Sequence, residues 1–356
     1  MLSRLVTLTR PLSIRGSRAL AIAIYSTADG GHLGAHESGE EGVACLDDAS
    51  RALVLWCDLW ERTRSVVARQ WVDGLLEFCR GMQQADGHFL NFILDWSGSL
   101  NVEGITSRAD GASFWHARGA RAMAKVARTF GDERARTDYE RARAWFDERP
   151  VGSDVRAIQV LAALDAGELT DDVSRWCDDI VAQRSGDVLV DSHDATEPHP
   201  WGHMQEGVLA MAAVALGRPD LLEVARRSAD AYLVPLIDRG FDLETVQPYG
   251  AASAVFVMER LSAACGDGRY NAAVLDARAW FDGRNPAGRP VYDRVAGRVA
   301  DGIDGNLINP HSGAESNILG AQALFDDVAA WLLRHPDACS PETPSTLPAD
   351  VRSAAS

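Results

Sequence analysis

Apolar residues recur along most of the chain at the spacing of one face of a helix, and no long segment alternates apolar and polar positions as a half-buried strand would. Glycines follow several of these segments, and glycine suits a helix C-terminus because it adopts the left-handed conformation at little cost. The pattern therefore predicts an all-α fold of helical hairpins in series. The predicted helices cover residues 47–61, 65–82, 112–129, 133–148, 153–165, 171–183, 203–216, 221–238, 249–264, 269–282 and 312–334.

One part of the chain repeats. Gly-Asp-Glu-Arg at 131–134, with Ala-Arg-Ala-Trp-Phe-Asp at 142–147, recurs as Gly-Asp-Gly-Arg at 266–269 and the same hexapeptide at 277–282. The offset matches about three helical pairs of ~45 residues, so we expect two halves of three hairpins and hence a ring of six. An open superhelix is the competing geometry, but long inter-helix loops are unlike the short, uniform turns of a solenoid.

The ring is expected to span residues 1–335 as one domain, because the Pro-, Ser- and Ala-rich segment 336–356 is typical of a flexible tail. Four arginines precede a short apolar run at residues 19–25, which is too short for a secretory signal and is interpreted as a solvated, basic helix or strand. Whether this segment targets the protein stays open. Six scattered cysteines without a C-x-x-C pair favour a reducing, cytoplasmic location.

Charge and motifs exclude several functions. Acidic residues outnumber basic ones by 51 to 35, for a net charge of -16, which argues against partners such as nucleic acid or an anionic membrane. No apolar stretch approaches the ~20 residues of a membrane span. Phosphate-binding glycine motifs are absent from the sequence, so no nucleotide cofactor is predicted.

Two acidic clusters lie where predicted helices begin. Asp47 and Asp48 are adjacent, and neighbouring carboxylates resist ionising together, which suits acid–base chemistry. The alternative is that one of them merely caps the helix. Ser312 and Glu315 have the spacing of a capping box. However, the polar residues around them exceed what a cap needs and would suit the hydroxyl groups of a sugar.

Two further polar clusters lie in the long predicted loops and at the start of the helices after them. Residues 191–206 hold three histidines among carboxylates, but their spacing fits no standard closed zinc site and no metal is predicted there. Residues 89–116 combine aromatic and polar side chains, and flat aromatic rings suit stacking on sugars. Any single tryptophan is more often part of the core.

In order along the chain, these segments resemble the six-hairpin, (α/α)6-toroid glycosidase-like family, whose domains occur fused to or encoded beside family-four glycosyltransferases. Leu46-Asp47-Asp48-Ala49-Ser50-Arg51-Ala52 is similar to the segment that opens an early helix in that family. Residues 84–92, Val246-Gln247-Pro248, residues 280–302 and residues 309–316 resemble its other motifs. The sequence departs from the family at Val43, Leu46, Ala49 and His311, which puts the substrate contacts in doubt.

The resemblance implies a glycoside hydrolase, with inversion favoured, in which Asp47 or Asp48 is the base and Glu315 the acid. The same resemblance and the polar clusters give the expected sugar contacts: Arg51, Asn91, Trp96, Asp110, Trp115, His116, His203, Glu206, Gln247, Asn309 and His311. No metal or other cofactor is expected. A sugar epimerase or polysaccharide lyase is one alternative, and it would use His116, His203 or His311 near the mouth of the ring. The other is a non-catalytic glycan-binding module that partners a separately encoded glycosyltransferase.

Overall fold

Six helical hairpins follow one another along the part of the chain that the structure, a computed structural model, describes: residues 1–26, 41–192 and 194–341. Each hairpin has an inner and an outer helix. The inner helices are α2 (Leu46–Thr63), α4 (Phe114–Phe130), α6 (Ser153–Ala166), α8 (Gln205–Leu216), α11 (Pro248–Cys265) and α13 (Ala314–Ala323). The outer helices are α3 (Val66–Met82), α5 (Glu133–Arg143), α7 (Asp171–Ala182), α9 (Pro219–Ala231) with α10 (Leu233–Asp238), α12 (Gly268–Arg278) with a 3₁₀ turn (Ala279–Asp282), and α14 (Phe325–Arg334).

The inner helices form a closed ring. Each packs on the next, from α2 through α4, α6, α8 and α11 to α13, and α13 packs back on α2. Inner helices such as α6 are buried on nearly every side, whereas outer helices bury one stripe. In α7 the buried residues are Val173, Trp176, Cys177 and Ile180, which is the spacing of one helical face. The predicted (α/α)6 toroid is confirmed.

The sequence repeat relates the second hairpin to the fifth. Gly131 and Gly266 end α4 and α11 in the left-handed conformation, with φ of 66° and 67°. The aspartate that follows each glycine accepts a backbone N–H at the start of the next helix, at 2.9 Å for Asp132 and 3.0 Å for Asp267. The same turn chemistry therefore recurs three hairpins apart, as the offset predicted.

The N-terminal segment is part of the core, so the prediction that it is solvated was wrong. It forms α1 (Leu2–Leu8) and an antiparallel hairpin of β1 (Thr9–Ile14) and β2 (Ser17–Ile22). Helix α1 packs on α13 and β2 packs on α3. Leu5 and Leu8 are fully buried, because the apolar positions turn inward while the arginines stay outside the core.

Short strand pairs brace the loops, which the helical pattern did not predict. The pairs are antiparallel: β3 (Ala44–Cys45) with β4 (Phe92–Ile93), β5 (Arg184–Ser185) with β6 (Val188–Leu189), β8 (Tyr292–Asp293) with β9 (Arg298–Val299), and β10 (Ile303–Asp304) with both β7 (Thr245–Val246) and β11 (Leu307–Ile308). They hold the loops at one face of the ring.

The two faces of the ring differ. Because inner and outer helices alternate, all inner helices begin at the same face, where loops 83–113, 183–204 and 283–313 also lie. We call this face the mouth, meaning the first turns of the inner helices together with these loops. At the opposite face, short turns such as those at Gly131 and Gly266 join the two helices of a hairpin. Long loops gathered at one rim are the usual place for a binding site.

The segment after α14, where the tail was predicted to begin, packs on the ring at Cys339. Cys339 is fully buried, and its carbonyl accepts a hydrogen bond from Trp71 Nε1 at 2.7 Å. Residues 342–356 lie outside the described part of the chain. Among the described helices, none is both long and apolar enough to cross a membrane.

Gly87 should be more sensitive to substitution than Gly217. Both have positive φ, of 104° and 68°, but a Cβ at Gly87 would lie 2.5 Å from the Arg141 carbonyl oxygen, whereas nothing lies within 4 Å at Gly217. We expect Gly87→Ala to lower the free energy of unfolding by about 1–3 kcal/mol more than Gly217→Ala, as measured in urea. Equal losses would contradict the described loop.

Candidate active site

One guanidinium joins three carboxylates at the mouth. Arg51 Nη1 lies 2.9 Å from Asp48 Oδ1, and Arg51 Nη2 lies 3.1 Å from Asp47 Oδ2 and 2.9 Å from Glu315 Oε1. The aspartates reach Arg51 because residues three and four apart share a face of α2. Glu315 comes from the first turn of α13, so ring closure brings it to the same cation.

None of these acids is used as a helix cap, so that alternative was wrong. Helix α2 begins after Cys45, whose Sγ accepts the Asp48 N–H at 3.4 Å. Helix α13 begins after Gly313 without a side-chain cap, and the Ser312 hydroxyl accepts from Asn317 Nδ2 at 2.9 Å. The capping box is not formed, and Glu315 faces the mouth instead.

A second buried arginine, which the sequence analysis missed, completes the group. Arg118 of α4 donates from Nη1 to Asp47 Oδ2 and from Nη2 to the Tyr249 hydroxyl at 2.5 Å. The Arg51 guanidinium lies over the ring of Tyr249, 5.0 Å from its centroid. The available signal was an arginine within a run of small residues at 117–120, where a helix packs closely and an unpaired charge would be costly.

The adjacent aspartates have opposite pKa shifts. Burial raises the pKa of Asp48 to about 7, and the negative charges of Glu315 and Asp47 add to this against the opposing effect of Arg51. Burial alone would also raise the pKa of Asp47, but Arg118 and Arg51 lower it below its usual value. The pair therefore offers one group that holds a proton near neutral pH and one that stays ionised, which is the division that acid–base chemistry uses.

The spacing of the acids is short. Asp47 Oδ2 and Glu315 Oε1 both contact the same nitrogen, so they are at most 6.0 Å apart, the sum of the two distances. Inverting glycosidases hold their carboxyl groups ~6.5–9.5 Å apart and retaining ones ~5–5.5 Å. The Asp47–Glu315 pair is thus closer to the retaining arrangement than to the inverting one that the resemblance favoured.

Aromatic rings border the acids. Trp201 is 41% exposed, and its ring centroid lies 6.3 Å from those of Phe114 and Tyr249. Trp201 also stacks on His199, with the ring centroids 3.7 Å apart and an angle of 6° between the planes. An exposed, rigidly held indole beside polar groups is suited to stacking on a sugar ring.

Two predicted histidines lie at the mouth but are fully buried. His116 Nε2 bonds the Ala142 carbonyl at 2.9 Å, and burial lowers the pKa of His116 to about 4. His203 lies between Asp191 Oδ1 at 3.2 Å and Glu206 Oε1 at 2.9 Å, both on buried side chains. Because His116, His203 and Glu206 are fully enclosed by the packed helices and loops, they stabilise the ring and do not line its opening.

Of the remaining residues predicted to contact a sugar, some bond to or pack on other parts of the protein and the others lie at the rim of the mouth. Asn91 Oδ1 accepts the Asp47 N–H at 3.2 Å, and Trp115 Nε1 donates to the Phe89 carbonyl at 3.2 Å. Asp110 pairs with Arg149, and Trp96 lies under Arg10 at 4.7 Å. Rim positions are held by Gln247, before α11, and by Asn309 and His311, which share a turn closed by a 3.0 Å bond.

Comparison with known proteins identifies the fold. No protein-family model and no curated relative matches the sequence. Solved structures do match: a sugar epimerase from a ruminal bacterium, with a TM-score of 0.65 and 12% identity, covers 86% of this chain and 92% of its own. The protein has the six-hairpin glycosidase-like fold. A D-mannose isomerase (TM-score 0.63, 14% identity) covers 88% of this toroid and 92% of its own chain. A family 76 glycoside hydrolase from a bovine Bacteroides thetaiotaomicron strain (TM-score 0.59, 12% identity) covers 92% of this chain and 76% of its own.

Asp48 should titrate near pH 7, because burial raises its pKa and the charges of the neighbouring acids add to this. In ¹³C-aspartate NMR, we expect the Asp48 carboxyl, assigned by its loss in Asp48→Asn, to change ionisation near pH 7. Glu315→Gln should lower this pKa, since the charge of Glu315 raises it. Glu133→Gln, on the exposed face of α5, is the control and should leave it unchanged. An Asp48 pKa in the usual range for aspartate would contradict the site.

His203 should make stability depend on alkaline pH. Burial alone would lower the pKa of His203, but Glu206 and Asp191 raise it to about 10. Because the folded state keeps this proton above the unfolded pKa of about 6.5, the stabilisation is complete below that value and is lost as the pH rises through about 10. The gap in unfolding free energy between the wild type and His203→Gln should shrink from pH 6 to pH 10. A constant gap would contradict it.

Proposed function

We propose that the protein is a carbohydrate-active enzyme that uses carboxylates at the mouth for acid–base chemistry, with hydrolysis of a glycosidic bond as its reaction. The observation that carries this proposal is the meeting of Asp47, Asp48 and Glu315 on one buried arginine. A plain structural ion pair needs one acid per arginine. A surplus of carboxylates beside an exposed indole suits catalysis on a neutral, hydroxyl-rich ligand.

The exposure of the acids suggests their roles. Glu315 is the most open, with 42% of its side chain exposed, so it is assigned proton transfer with the glycosidic oxygen. Asp47 is 21% exposed and held ionised by two arginines, and at this spacing it is suited to attack the anomeric carbon directly. Water, deprotonated by Glu315, then releases the sugar from Asp47. Asp48 lies behind them and holds a proton near neutral pH.

Isomerisation or epimerisation of a free sugar is the second candidate. A carboxyl with a pKa of about 7 is well matched to removing and returning a proton next to a carbonyl group. The matched structures named as an epimerase and a mannose isomerase are covered over 92% of their chains. In this protein the carboxylates or the exposed His311 at the rim would do that work, because His116 and His203 are buried.

The two reactions leave different products. We expect the wild type either to release new reducing ends from aryl glycosides or oligosaccharides, or to incorporate deuterium at C2 of a free sugar in D₂O, followed by ¹H NMR. Glu315→Gln should lower kcat at least ~10²-fold, as loss of a general acid does. Glu133→Gln on α5 should keep wild-type activity.

Three results bear on the proposal. Cleavage with the anomeric configuration retained supports hydrolysis through Asp47, and exchange at C2 without cleavage supports the second candidate. Sugar binding that is equal in the wild type and Glu315→Gln, with neither reaction across the panel, would overturn the enzyme proposal. That result would favour the glycan-binding module instead.

A further inference from the structure

At the mouth, apart from the acids around Arg51, two carboxylates and an imidazole converge from different parts of the chain. Asp154 lies in the first turn of α6, while Asp191 and His199 come from loop 183–204. One donor atom from each lies within 4.8 Å of the others. The side chains are largely enclosed, with 12%, 6% and 29% exposed. They are outside the acid cluster around Arg51, and no part of the proposed reaction uses them.

The hydrogen bonding of His199 leaves one ring nitrogen facing the acids. Its Nδ1 lies 2.7 Å from the Trp201 carbonyl, and because a carbonyl only accepts, Nδ1 carries a proton. In the neutral ring Nε2 then has a free lone pair. It lies 3.7 Å from Asp154 Oδ2 and 3.6 Å from Asp191 Oδ2, which is too long for hydrogen bonds.

We propose that Asp154, Asp191 and His199 bind a divalent transition-metal ion of the zinc type. Zinc takes imidazole nitrogen at ~2.0–2.1 Å and carboxylate oxygen at ~2.0–2.2 Å, and donors 3.6–3.7 Å apart fit around one such ion. An imidazole with two carboxylates offers three ligands, which leaves a further position for water or a substrate oxygen.

The groups behind the three ligands are those that a metal site requires. A metal-bound histidine usually donates its other N–H to a carbonyl, as His199 does to Trp201. Bound carboxylates are themselves hydrogen-bonded, and Asp191 Oδ1 lies 3.2 Å from His203 Nδ1 and accepts from Gln205 Nε2 at 2.9 Å. The ligand atoms are thus oriented before any ion arrives.

A metal ion bound here would also fix the position of Trp201, the indole suited to stacking on a sugar. His199 stacks on Trp201, so an ion that ties His199 to α6 holds the exposed indole beside Tyr249. The sequence did not predict this site, because the spacing within residues 191–206 fits no standard zinc site and Asp154, the third donor, lies outside that segment. Metal binding by these three residues does not depend on whether the protein is an enzyme.

The competing state is a protonated His199 that forms ion pairs with both acids. Burial alone would lower the pKa of His199, but Asp154 and Asp191 raise it. The groups facing Nε2 are these two carboxylates, and His203 also contacts Asp191 on the far side. In that state the ring nitrogen has no lone pair to give, so zinc would not bind at neutral pH.

Calorimetric titration of the EDTA-treated full chain with ZnCl₂ at pH 7.5 distinguishes the two states. We expect one equivalent to bind with a Kd of micromolar or tighter, and Co²⁺ to give visible absorption bands from nitrogen and oxygen ligands. His199→Gln and Asp154→Asn should each weaken zinc binding at least tenfold. The matched control is His335→Gln, since His335 also stacks on a tryptophan and bonds its carbonyl, at 2.9 Å, without an acid pairing to it among the described residues.

The absence of stoichiometric zinc uptake by the wild type would overturn the proposal. So would zinc binding that neither Asp154→Asn nor His199→Gln weakens, because the ion would then lie elsewhere. Far-UV circular dichroism checks that each variant is folded. Should one of the two fail to fold, the other decides, since either ligand alone is required.

Discussion

The architecture of the mouth depends on one buried cation, Arg51, which pairs with three carboxylates although it carries a single positive charge. Asp47, Asp48 and Glu315 all lie within 3.1 Å of its terminal nitrogens. Removing so many charges from water is costly unless they pair well, and Arg118 supplies the second positive charge through Asp47. Burial raises the pKa of Asp48 to about 7, and the remaining excess of negative charge adds to this rise. The unusual protonation follows from the packing.

Ring closure is what creates this cluster. Asp47 lies at the start of the first inner helix and Glu315 at the start of the last, and they meet because α13 packs back on α2. All inner helices present their N-terminal ends at the mouth, where the positive end of each helix dipole favours carboxylates. The fold therefore supplies both the proximity of the acids and part of the field that favours the ionised form of Asp47. An open superhelix would leave Asp47 and Glu315 apart.

The sequence predicted features that depend on local patterns. The helical spacing gave most helices, and Gly131 and Asp132 recur as Gly266 and Asp267 because the same turn needs the same residues. Prediction from the sequence failed where long-range packing determines the position of a side chain. Arg118 looks like an ordinary helix residue until the packing of α4 on α2 brings it to Asp47, and His116 looks available until α5 encloses it. Burial of the N-terminal segment likewise depends on surfaces of α3 and α13 that only the folded ring provides.

Replacing Arg51 by methionine tests this account most directly, through the free energy of unfolding at two pH values. At pH 8 the acids are ionised and lose their counterion, so we expect Arg51→Met to cost about 3–5 kcal/mol. At pH 5 the loss should be clearly smaller, because Asp48, with a pKa of about 7, is already protonated. Arg69→Met, at an exposed pair with Asp73, should cost no more than about 1 kcal/mol at either pH. A small, pH-independent loss for Arg51→Met would contradict the account.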